Sequence, residues 1–68
     1  MKMQLKELGH MIQDDKKLIK IHLPVDENGE SETRGCDRKT FRLETKDIKD
    51  RIVKDMYFLY DYIDVFIE

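Results

Sequence analysis

The chain has 68 residues and a net charge of −2, with 41% charged and 40% hydrophobic residues and a single cysteine. That length holds one domain at most, the apolar content suffices for folding rather than disorder, and the negative balance argues against a nucleic-acid binder. Cys36 excludes an internal disulfide, no run of ~18 apolar residues marks a membrane span, and the opening residues lack the ~7–15-residue apolar stretch of a signal peptide; a protein of a reducing cytoplasm, with no membrane contact, is expected.

Residues 3–13 read as a short amphipathic helix, with Leu5, Leu8 and Ile12 on one face and Lys6 and Gln13 towards water. Gly9 costs this helix about 1 kcal/mol relative to alanine. Residues 17–23 then alternate as a strand, Ile19, Ile21 and Leu23 on one side and Leu18, Lys20 and His22 on the other. Pro24 ends that strand or confines it to an edge. Asp26-Glu27-Asn28-Gly29 is the clearest turn, with Asn-Gly as a type I′ hairpin signal. Residues 30–36 form the polar return strand, suited to a sheet edge. In residues 37–45, Phe41 and Leu43 alternate with Arg42 as an extended segment, and Thr45 precedes KDIKD as the cap of a single helical turn anchored by Ile48.

The densest apolar stretch is Val53 to Ile67, which holds five of the six aromatic residues. Ile48, Ile52, Met56, Leu59, Ile63 and Phe66 recur at the spacing of a helical face. Against this, Ile63, Val65 and Ile67 alternate with Tyr62, Asp64 and Phe66, and β-branched and aromatic residues dominate. The composition favours a hairpin turning at Asp61 over a helix. The expected fold is α+β: a small antiparallel sheet of two hairpins, the N-terminal helix packed on one face, and one short helical turn before the last hairpin.

This order and several residues resemble a group of small accessory proteins encoded by phages and prophages of Gram-positive bacteria. The matching pieces are Leu5-Lys6-Glu7-Leu8 with Ile12, Ile19-Lys20-Ile21, Asn28-Gly29, Asp50-Arg51-Ile52-Val53 and the closing Ile63-Asp64-Val65-Phe66-Ile67-Glu68. The likeness spans most of the chain and departs from the group in a longer basic insert between Arg34 and Leu43. It implies a phage accessory protein. Some proteins of that kind inhibit bacterial defence systems, in the manner of anti-CRISPR proteins. It carries over no functional residue.

No catalytic constellation is assembled by the residues themselves. His10, His22 and Cys36 fall in three separate elements without metal-ligand spacing, so no metal or other cofactor is expected. Cys36 has Arg34 and Arg38 nearby to stabilise a thiolate but no oriented base. Asp61 and Asp64 could act as paired carboxylates only beside a substrate cleft, for which 68 residues leave little room.

Two binding surfaces remain. Arg34, Arg38, Lys39 and Arg42 form a local positive excess that suits a phosphate, with Phe41 among them to stack on a base. A homo-oligomer that sequesters a signalling nucleotide would use these four residues. The acidic, aromatic end carries Tyr57, Tyr60, Asp61, Tyr62, Asp64 and Phe66, with no lysine or arginine after Lys54. Tyrosines set among acids suit an interface with a basic protein. The leading expectation is therefore a non-enzymatic protein that binds and inhibits a host bacterial protein through this end. Self-association is an alternative use of the same surface, and a nucleic-acid-binding regulator is the weakest expectation.

Overall fold

In the computed structural model, which describes residues 2–68, the chain forms one mixed sheet of five strands with two short helices, an α+β fold. The elements are β1 (Met3–Gln4), α1 (Leu5–Leu8), β2 (Leu18–His22), β3 (Thr33–Cys36), α2 (Phe41–Glu44), β4 (Ile52–Phe58) and β5 (Tyr62–Ile67). Their spatial order is β1-β4-β5-β2-β3. Both expected hairpins are present, and residues 52–67 form two strands and their turn, not a helix.

The sheet is not antiparallel throughout. The hairpins lie side by side through a parallel pairing of β2 with β5, which sets Ile19 beside Ile63 and Ile21 beside Val65. Those four side chains are buried and form the middle of the core. Leu5, Leu8, Ile12, Phe41, Ile48 and Ile67 pack against the same face.

Three local expectations are corrected. The N-terminal helix is one turn, opened by the Glu7 carboxylate accepting from the Gln4 amide at 2.7 Å; Met3 and Gln4 before it form a strand beside β4. After Leu8 the chain continues in turns, which still bury Ile12. The Asn28-Gly29 bend is not type I′. That turn requires positive φ at both central residues, and only Gly29 (φ 80°) has it. Asp26 organises the loop instead, its side chain accepting from the amides of Asn28 and Glu30, both at 2.9 Å. Finally, Phe41 and Leu43 belong to a helix rather than an extended segment. Its approach is held by Asp37 and Thr40, whose side chains accept from each other's backbone N–H groups at 2.9 and 3.2 Å. Thr45 closes that helix rather than opening another, with its buried hydroxyl donating to the Phe41 carbonyl at 2.7 Å. Turns carry the chain on to Arg51 and bring Ile48 into the core.

The rim of the core is tied by charge. Arg34 stands opposite Ile21 on the helix-bearing side, where its guanidinium donates to both Asp47 oxygens, at 2.7 and 3.0 Å. It also donates to Glu32 and to the Glu44 carbonyl. These partners hold Arg34 more firmly protonated than usual, and the guanidinium lowers the Asp47 pKa in turn.

Because the fully buried Ile21 lies between β5 and β3, Ile21→Ala should cost about 2–5 kcal/mol. That is a large part of the ~3–10 kcal/mol typical of a chain this size. Urea unfolding followed by circular dichroism should show the midpoint collapse towards zero denaturant.

Candidate functional site

Two four-residue helices and the turns after them cover one face of the sheet; among the described residues no layer lies over the other. Strand alternation decides what that face presents. The residues out of phase with the core are Leu18, Lys20 and His22 on β2, Tyr62, Asp64 and Phe66 on β5, Tyr57 and Asp55 on β4, and Thr33 on β3. Registration makes them neighbours. Leu18 lies beside Tyr62, Lys20 beside Asp64, His22 beside Phe66, and Tyr57 opposite Asp64.

The face is ordered by specific contacts. The His22 ring stacks on Phe66 with centroids 4.4 Å apart, and Tyr57 meets Phe66 edge-on at 6.0 Å. The Lys20 ammonium sits 4.1 Å from the centre of the Tyr62 ring, a cation–π contact. Both nitrogens of His22 are engaged, Nδ1 with the Thr33 hydroxyl at 3.1 Å and Nε2 with the Asp64 carboxylate at 2.8 Å. Hydroxyl, imidazole and carboxylate in line is the order of a nucleophilic relay. Here the ring lies flat against Phe66 on the open face of the sheet. The row holds the side chains of this surface in place.

Beyond this face the β4–β5 hairpin reverses at Tyr60-Asp61, closed by the Leu59 amide donating to the Tyr62 carbonyl at 2.9 Å. Tyr60 at its tip is 96% exposed, and Phe58 and Leu59 beside it are also exposed. The closing bond also fixes which backbone groups face outward: Met56 and Phe58 direct their N–H and C=O away from β5. Among the described residues β1 pairs with β4 only at Ile52 and Val53, so that stretch of edge carries no strand.

Of the six residues expected at the acidic, aromatic end, Tyr57, Tyr62, Asp64 and Phe66 share the uncovered face, while Tyr60 and Asp61 form the tip. Leu18, Lys20, His22 and Thr33 complete the face and were not singled out from the sequence. The 17–23 alternation assigned the first three to a shared face; their meeting with residues 62–66 depends on a parallel pairing that leaves no local signal. The basic insert is dispersed. Arg34 is bound by Asp47 and Glu32, Arg38 donates to Asp15 at 2.7 Å, Lys39 lies exposed in the turn before α2, and Arg42 faces a separate groove beside α1. Among the described residues no group of three His, Cys, Asp or Glu side chains is placed to hold a metal ion. No helix among them is long and apolar enough to cross a membrane.

No family model, curated protein or solved structure matches the chain.

Cys36 is buried opposite Ile19, and burial first, then the negative charges of Glu44 and Asp37, pushes its thiol pKa up to about 11. About one thiol in a thousand is then ionised at pH 8, against roughly a quarter for an ordinary cysteine. Alkylation by iodoacetamide at pH 8 should therefore be at least ~100-fold slower in native protein than in urea-unfolded protein, as read by mass spectrometry.

Proposed function

We propose that this chain is a non-enzymatic binding protein that docks on another protein through the uncovered sheet face and hairpin tip. In line with its resemblance to phage and prophage accessory proteins, the partner is a host bacterial protein whose action the docking blocks, such as a component of a defence system. The observation that carries this reading is the ordered array of Tyr57, Tyr62, Phe66 and His22, continued at the hairpin tip by the exposed Leu59 and Tyr60. Aromatic side chains on a rigid support give large contact area at low ordering cost, the usual composition of interface hot spots.

Charge defines the partner's chemistry. Asp55, Asp61 and Glu68 are exposed around the aromatics, Asp64 is half-buried among them, and no lysine or arginine follows Lys54. A surface with basic groups around an apolar depression is complementary to this arrangement. A groove that handles nucleic acid has that character, and occupying it would block function without chemistry. The polar clamp on His22 and the cation–π contact of Lys20 keep the face satisfied when free.

The test pairs Tyr57→Ala with Tyr60→Ala. Both side chains are more than half exposed, so the double variant should keep its native mass and its urea midpoint within about 0.5 kcal/mol. In a bacterium whose defence system restricts a phage, expressing the native chain should raise plaque formation in proportion to its amount. The folded double variant should lose that effect at least tenfold. Equal protection by both forms would overturn the assignment of the surface, and absence of protection by the native chain across defence systems would overturn inhibition as its function.

A further inference from the structure

On the helix-bearing side, remote from the docking face, a groove of about 610 Å³ opens between α1 and the segment running from α2 to Lys49. Its volume is in the range of small-molecule sites, about 300–1,000 Å³. Its walls carry Lys6, His10, Arg42, Lys46 and Lys49 against one acid, Glu7. That acid is engaged within its own helix start, one carboxylate oxygen accepting from the Gln4 backbone N–H. Lys6 shares its ammonium with Asp50 at 3.1 Å. Arg42, Lys46 and Lys49 take part in no ion pair or side-chain hydrogen bond among the described residues, whereas Arg34 and Arg38 are both bound by carboxylates. Three unpaired cations thus share one concavity in a chain whose net charge is −2.

The base of the groove is firm. Phe41 and Thr45 line it from below, both buried, with Thr45 bonded to the Phe41 carbonyl. Gly9 forms part of the opposite wall, where an added Cβ would come 3.4 Å from the Phe41 ring. The side chains that would meet a ligand are exposed at the rim and free to close on it.

We propose that this groove binds a small anion carrying two or more phosphate groups. Like charges gathered in one concavity repel one another until a multivalent anion neutralises them. An arginine fork with two ammonium groups matches the oxygens of a phosphate chain better than a single carboxylate. The phosphate chain is the recognised chemistry, and free polyphosphate and a nucleoside triphosphate are its two sources. The site uses Arg42 from the basic insert but neither Arg34 nor Arg38, and it is independent of the docking surface.

The experiment is an NMR amide titration of the full chain at low salt, with inorganic tripolyphosphate and ATP as probes and citrate as a multivalent carboxylate. Saturable shifts confined to Gly9, His10, Arg42, Thr45, Lys46 and Lys49 are expected with both phosphates. Arg42→Gln and Lys46→Gln should each weaken binding about tenfold, and Lys54→Gln on β4 should leave it within twofold. ATP binding more tightly than tripolyphosphate would identify a nucleotide, and equal binding the phosphate chain alone. Unsaturable shifts spread over all lysines, equal loss in Lys54→Gln, or citrate binding as tightly as tripolyphosphate would each overturn the proposal. Because these variants leave Tyr57 and Tyr60 in place, failure here is distinguishable from failure of the docking surface.

Discussion

The parallel pairing of β2 with β5 is the constraint on which the rest of the molecule depends. It joins two hairpins that would each be marginal alone and unites their apolar sides into one core. The register Ile19–Ile63 and Ile21–Val65 simultaneously sets Leu18–Tyr62, Lys20–Asp64 and His22–Phe66 on the opposite face. A slip of one residue would exchange these sets and bury the Lys20 ammonium beneath the helices. Core and candidate site are therefore products of one registration, and the site cannot form in a chain that has not found it.

A parallel pair cannot be closed by a tight turn, so the chain between β2 and β5 must travel. It does so by way of β3, α2 and β4, and the piece between β3 and β4 crosses the helix-bearing side, where Phe41 and Ile48 supply core. Arg34 fastens that crossing by gripping Asp47 and the Glu44 carbonyl from the sheet edge. This is a use for an arginine that its position in a basic run does not suggest. With the crossing and α1 both on one side, the described residues place no helix over the other. The exposed aromatic face follows from that one-sided crossing as well as from composition.

Alternation made β2 and β5 legible, and β-branched, aromatic composition decided strand over helix for residues 52–67. The rival helical spacing of Ile52, Met56, Leu59 and Ile63 marks no single face, since Leu59 lies exposed at the hairpin turn. The bulge between Val53 and Asp55 shifts the phase of β4, so that Val53 and Met56 both point to the core three residues apart. The loops were read less well because their bonds come from side chains at separations a turn signal does not describe, as with Asp26 and with the Asp37–Thr40 exchange. The groove beside α1 could not be read at all. Its cations lie at residues 6–10 and 42–49, while sequence proximity grouped Arg42 with Arg34 and Arg38, which point elsewhere and are already paired.

The free surface is not uniform, and that bears on how a partner would engage it. The molecule measures 35 × 22 × 22 Å, and the β4–β5 hairpin ends in an exposed tip. Tyr57, Tyr62 and Phe66 rest on neighbours and present a flat, preformed area, which favours fast and geometrically selective contact. Tyr60 has almost no support from its own chain. A side chain of that size left in water gains most when it enters a pocket, so a partner with a depression at the tip would draw most of its affinity from Tyr60 and most of its orientation from the flat face behind it. The acids around both then act before contact, by steering a basic surface towards the aromatics, and contribute less once the interface is dry.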